Sequence, residues 1–151
     1  MSALESRSSN TVGIPRSQSV VKLGEQGCEV KADILIGIVD DDHSLRNSLV
    51  RLVRSMGHEA RGFSSAEELL QSQILDRCSC VITDVQMRGI SGIELAAIIT
   101  AEHNALPVIV ITARSEPKLE EKAIESGAAC FLRKPIDAEL LVAKLSAALQ
   151  V

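Results

Sequence analysis

Between Ile34 and Leu149 the sequence alternates five times between a short apolar run and a longer stretch whose apolar residues recur three and four apart, and no other feature restricts the fold as much. The first run, Ile34 to Val39, is too short for a helix and carries no polar side chain, the pattern of a parallel strand buried on both faces. Leu45, Leu49, Leu52, Val53 and Met56 then share one face of a helix that Gly57 is placed to end. His58 to Arg61 predicts a second strand, and Ser64-Ser65-Ala66-Glu67-Glu68 offers two overlapping capping boxes for a helix through Leu69 and Leu70. Cys80 to Thr83 predicts the third strand, and Ser91-x-x-Glu94 opens a helix carrying Leu95, Ile98 and Ile99. Pro107 to Ile111 follows as the fourth, with Ser115 and Pro117 starting a helix that ends near Gly127. Ala129 to Leu132 is the fifth, and Asp137 caps a last helix through Leu141, Leu145, Ala148 and Leu149. Such repetition requires right-handed crossovers and a parallel sheet covered on both faces, so an α/β, doubly wound sandwich is expected over residues 34–151. Ligands of these sheets bind beyond the carboxyl ends of the strands, where strand order reverses.

The 151 residues are enough for one domain with its own core. Because 46% of them are hydrophobic and only 1% aromatic, Val, Ile, Leu and Ala must build that core. A net charge of −4 leaves no general basic field for nucleic acid or an anionic membrane, so direct nucleic-acid binding is not expected. Residues 1–33 are rich in Ser and Gly, their charges cancel, and they show no sustained period; they are read as a flexible N-terminal arm. No early apolar run suits a signal peptide, and no stretch of about eighteen uncharged apolar residues occurs. A cytoplasmic chain without membrane insertion is expected. Cys78 and Cys80 are close but lack the second pair of a tetrahedral zinc site, and with Cys28 and Cys130 they are read as reduced, partly buried thiols.

At the strand ends stand Asp40-Asp41-Asp42 after the first, Asp84 after the third, Thr112 after the fourth and Lys134 after the fifth. A doubly wound sheet would gather them at one edge. Converging carboxylates repel one another and cannot all ionise at neutral pH unless a cation joins them. Hard oxygen ligands favour Mg²⁺, which commonly also binds phosphate oxygens, so metal and lysine together make a site for a dianion.

Val39-Asp40-Asp41, Ile82-Thr83-Asp84, Ile111-Thr112-Ala113 and Phe131-Leu132-Arg133-Lys134-Pro135 resemble, in order and spacing, the response-regulator receiver family over about Ile34 to Leu149. Phe63-Ser64-Ser65-Ala66-Glu67 looks like the receivers of nitrogen-fixation and LuxR-type regulators. The resemblance implies a flavodoxin-like (βα)5 fold with strand order 2-1-3-4-5. It implies a phosphorylation switch rather than an enzyme acting on a separate substrate. Asp84 would take a phosphoryl group from a histidine kinase or phosphotransfer protein. Asp40, Asp41, Asp84 and the carbonyl of Gln86 would hold Mg²⁺, with Mn²⁺ able to replace it. Lys134 and Thr112 would bond phosphoryl oxygens, Ala113 would leave the path open, and Phe131 would move with Thr112. Gln86 and Arg114 would tune dephosphorylation, and Lys134-Pro135 is a candidate cis peptide. The last helix pair and fifth strand would form the output face, recruiting a downstream protein or a second copy upon phosphorylation. With no output domain after Val151, a stand-alone receiver is expected. One departure stands out: many receivers have proline where this chain has Arg88, so the loop after Asp84 loses a rigid turn residue and gains a charge.

Blander readings compete. A lone Asp after a strand is usually a cap, and Asp42 is read as one; Phe131 could simply be core, and His43, His58 and His103 are read as surface or edge residues. Asp40-x-Asp42-x-Ser44 loosely fits the nucleophile motif of haloacid-dehalogenase-type phosphatases, with Asp40 as nucleophile, but a later acidic pair and a cap domain are missing. A receiver-shaped adaptor that never takes a phosphoryl group is the other rival.

Overall fold

The structure, a computed structural model, describes residues 21–23, 28–30 and 34–150. Strands β1 (Val21–Leu23) and β2 (Cys28–Val30) pair antiparallel, with Val21 opposite Val30. They fall inside the stretch read as a flexible arm, the rest of which lies outside the described residues. From residue 34 onward strands and helices alternate as β3 (Leu35–Val39), α1 (His43–Ser55), β4 (Glu59–Phe63), α2 (Ala66–Ser72), β5 (Cys80–Asp84), α3 (Gly92–Glu102), β6 (Val108–Thr112), α4 (Leu119–Glu125), β7 (Cys130–Arg133) and α5 (Ala138–Leu149). The five strands are parallel in the order β4-β3-β5-β6-β7, which is the 2-1-3-4-5 order of a flavodoxin-like sheet.

Side-chain alternation along the three central strands sorts the core into two layers. Leu35, Val39, Val81, Val108 and Val110 face α2, α3 and α4, whereas Ile36, Ile38, Ile82, Ile109 and Ile111 face α1 and α5. These strands are buried along their whole length, and each fully buried Ile or Val contributes about 2 kcal/mol of transfer free energy. The sheet is thereby a rigid base that stops at one polar edge.

Most helix starts follow their local signals. Asp42 caps α1 by accepting from the amides of Ser44 and Leu45, Asp137 caps α5 in the same way, and Ser91 with Glu94 forms a complete capping box on α3. Two starts differ from expectation. Ser65 caps α2 and Glu68 reaches back to Ser64 N at 2.6 Å, so of the two overlapping boxes Glu67 joins neither. Helix α4 begins at Leu119 rather than near Ser115, with Lys118 at its cap making no side-chain bond. Pro117 disfavours helical geometry in Glu116 before it, and a turn from the Glu116 carbonyl to Leu119 N takes the place of the first helical turn. His58 precedes the edge strand β4 but is buried. No helix among the described residues is long and apolar enough to cross a membrane.

Candidate functional site

The acids predicted at strand ends lie at the carboxyl edge where β3 and β5 adjoin, the point at which the chain's crossovers change side. Asp84 and Thr112 are the final residues of their strands, so the ladder itself fixes their backbones. Oxygens of Asp40, Asp41 and Asp84 all lie within 4.8 Å of one another. Lys134 Nζ, carried past the end of β7, stands 3.3 Å from Asp84 Oδ1 and 3.4 Å from Asp40 Oδ2. The Lys134-Pro135 bond is cis. Asp40 and Asp84 are buried, while Asp41 is exposed.

Burial pushes the Asp84 carboxyl above its ordinary range, the Asp40 charge adds to this, and Lys134 opposes it. Three carboxylates facing one ammonium group leave negative charge uncompensated. Convergent hard oxygens with that surplus fit a small divalent cation, for which Asp40, Asp41 and Asp84 are the side-chain ligands at hand. Receiver domains generally bind Mg²⁺ at such an acidic pocket. The pocket has a volume of about 680 Å³; Gln86, Met87 and Arg88 form one wall and Arg114 stands at its rim.

Thr112 is fully buried, and its Oγ1 accepts from Arg114 N at 2.9 Å. Ala113 is exposed, and Phe131 is half-buried against the core with the Arg133 guanidinium 5.4 Å from its ring centre. None of Thr112, Ala113 and Phe131 lines the pocket, although Thr112 is bonded to Arg114, which does. Asp42, the second acid of the phosphatase-like motif, lines the pocket but spends its carboxylate capping α1. His43 is exposed, and His103 lies 3.5 Å from Asp76 across the fold from the site. Burial raises the Cys80 thiol, with Cys78 adding to it, and burial raises Cys130, which disfavours reactive thiolates at both.

Three further residues shape the site. Arg46 Nη1 donates to the Asp40 carbonyl at 2.7 Å and Nη2 to His43 Nδ1 at 3.0 Å, tying α1 to the end of β3. Its signal in the sequence is a cation in the first turn of a helix, where the dipole disfavours one. Gly92 packs so closely on the Asp84 carbonyl that a methyl group would collide with it. Glu67, left over from the paired capping boxes, accepts from Ile90 N in the loop that carries Gln86, Met87 and Arg88.

The family described as response regulator receiver domain matches residues 36–146. Nodulation protein W of Bradyrhizobium diazoefficiens is 38% identical over 120 residues, covering 79% of this chain and 53% of its own length. Transcriptional regulatory protein FixJ of Azorhizobium caulinodans is 38% identical over 115 residues, covering 76% and 54%. The chain thus spans about half the length of these curated relatives. The crystal structure of a response regulator receiver protein from Burkholderia phymatum superposes with a TM-score of 0.69 at 36% identity, covering 79% of this chain and 97% of that one. A family match over residues 36–146, on a five-stranded parallel sheet in the order 2-1-3-4-5, places the chain in the response regulator receiver family of two-component signalling.

Proposed function

We propose that this receiver is switched by phosphorylation of Asp84 and passes its state to another protein by a change of surface. One observation carries the reading: Asp84 ends a buried strand at the base of an open pocket, its carboxylate beside two further acids and 3.3 Å from a lysine. An Asp84 oxygen attacks phosphorus of a phosphohistidine on a histidine kinase or phosphotransfer protein. The new O–P bond forms as the P–N bond breaks, and the imidazole leaves with a proton. Lys134 holds one phosphoryl oxygen and the Thr112 hydroxyl turns from Arg114 N to bond another, while the small Ala113 keeps the approach clear. Asp40, Asp41, Asp84 and the Gln86 carbonyl would hold Mg²⁺ or Mn²⁺, which would supply positive charge against the phosphoryl group when bound. Gln86 and Arg114, beside the line of attacking water, tune hydrolysis. The domain assists its own phosphorylation and dephosphorylation and turns over no separate substrate.

Phosphorylation adds about −1.5 to −2 charges, which biases the loop after β6 through Thr112 and then Phe131. The surface that answers is β7 with α4 and α5, a docking face for a downstream partner or a second phosphorylated copy. In this reading the protein works in the cytoplasm, and residues 34–151 form the receiver.

Intact mass and peptide mapping after treatment with acetyl phosphate and Mg²⁺ test the proposal. One phosphoryl group on Asp84, absent in Asp84→Asn and without the metal, is expected. Label on Asp40, removed by Asp40→Asn, would replace the switch with the phosphatase reading, and no label from acetyl phosphate or a cognate kinase would leave the adaptor.

A further inference from the structure

We propose that Glu67 is a positioning residue for the pocket: its carboxylate holds the loop between β5 and α3 in place of a closed turn, and so sets metal affinity and phosphoryl lifetime. The inference rests on the phosphorylation reading for its last consequence only. Gly89 has φ 76°, the value taken by the third residue of a type II turn spanning Met87 to Ile90. In a closed turn of that kind Ile90 N would donate to the Met87 carbonyl, and the second position, here Arg88, would favour proline. Neither stabilising feature is used. Ile90 N donates instead to Glu67 Oε2 at 3.0 Å, across 23 positions of sequence.

The fit is specific on both sides. The Glu67 carboxylate lies against the Gly89 α-carbon, where any side chain would collide with it. Glu67 is half-buried on the first turn of α2, and its neighbour Glu68 performs the local task by reaching Ser64. A charged acceptor is therefore held beside one backbone donor and one glycine of a distant loop. That loop carries Gln86, Met87 and Arg88, which wall the pocket. Its two ends are secured separately, by Val85 N on the Ile111 carbonyl and Gly92 N on the Val85 carbonyl. Glu67 holds the span between them.

The test compares wild type with Glu67→Ala, Glu67→Gln and the double variant Glu67→Ala with Arg88→Pro in the full chain. Three quantities are read: exchange of the Ile90 amide by NMR, Mn²⁺ affinity by electron paramagnetic resonance, and the lifetime of phosphoryl label after acetyl phosphate. Glu67→Ala is expected to speed Ile90 exchange roughly tenfold, the lower range for a bond to a charged acceptor. It should also weaken Mn²⁺ binding several-fold and change the lifetime in the same variant. Glu67→Gln keeps an acceptor and should stay near wild type, and Arg88→Pro should recover much of the loss by restoring a rigid turn. If Glu67→Ala loosens Ile90 but leaves both Mn²⁺ affinity and lifetime at wild-type values, the bond is structural only and the proposal falls; it falls equally if Ile90 exchange does not change. Should Glu67→Ala fail to fold, Glu67→Asp, which withdraws the carboxylate by one methylene, gives the same readings. If wild type takes no phosphoryl group, the function proposed above fails while exchange and Mn²⁺ affinity still decide the role of Glu67.

Discussion

The pocket has two walls built by different means. The wall at Asp40 to Asp42 is secured largely by near neighbours: Asp40 Oδ1 accepts from Asp42 N, Asp42 caps α1, and Arg46 returns from the first turn to the Asp40 carbonyl. Among the described residues, the bond from Asp40 N to the Phe63 carbonyl and the approach of Lys134 come from farther along the chain. The opposite wall, residues 85–91, depends on distant partners, with Ile111 at one end, Glu67 near the other, and Gly92 packed beneath Asp84. A locally bonded wall re-forms whenever α1 forms. A wall held from a distance keeps its shape only while three elements keep their spacing, which makes it the side on which small changes should alter the site most.

The largest effect should come from Gly92→Ala, which breaks the second wall where there is least room. The added methyl would meet the Asp84 carbonyl, a backbone atom that cannot turn aside. Overpacking of this kind costs roughly 1–3 kcal/mol, and the upper end is expected here because α3 or the end of β5 must shift. Urea unfolding measures it. A loss below about 0.5 kcal/mol, the usual surface range, would show that the wall yields readily and that its dependence on spacing is overstated.

The same contrast explains what could be read from the chain beforehand. Strands with continuous apolar runs, caps at Asp42, Ser91 and Asp137, and the acids and lysine at strand ends are signalled by residues close in sequence, and they form as expected. Glu67 and Gly92 act on backbone atoms far away or on a contact formed only by packing, and neither pattern nor composition reports such partners. The paired boxes at Ser64 to Glu68 did hold a clue, since one helix start can use only one box and the spare glutamate is left free of the cap. Helix α4 starts late because the influence of Pro117 on the residue before it prevails over the Ser115 signal.

Breaking the first wall should cost less. Arg46→Ala removes a charge-assisted bond to the Asp40 carbonyl, but three of that residue's polar atoms keep partners. A destabilisation of about 1.5 kcal/mol is expected, together with a modest fall in Mg²⁺ affinity seen by calorimetry. Arg46→Lys should recover only part of this, because an ammonium group lacks the planar fork that meets the Asp40 carbonyl and His43 together. Full recovery by lysine would reduce Arg46 to a nearby positive charge.

The smallest effect concerns the floor between the walls, and it has the opposite sign. The folded pKa of Asp84 is raised, first by burial and then by Asp40, so over the range from the ordinary carboxylate value up to the folded one the native state binds more protons than the unfolded chain. Stability contributed by this group is therefore greatest when it is protonated, and falls as pH rises through that range. Asp84→Asn removes the buried charge, and without divalent metal at neutral pH it should raise Tm by roughly 2–4 °C, the displacement given by about 1 kcal/mol in a chain of this length. The advantage should shrink as pH is lowered toward the ordinary carboxylate range. It should also shrink on adding Mg²⁺, which stabilises the ionised set of wild type. Thermal melts across pH, with and without the metal, separate these terms. If the Asp84→Asn variant melts below wild type in metal-free buffer, the Lys134 contact outweighs burial and repulsion, and the floor, like the Asp40 wall, is held together by its own neighbours.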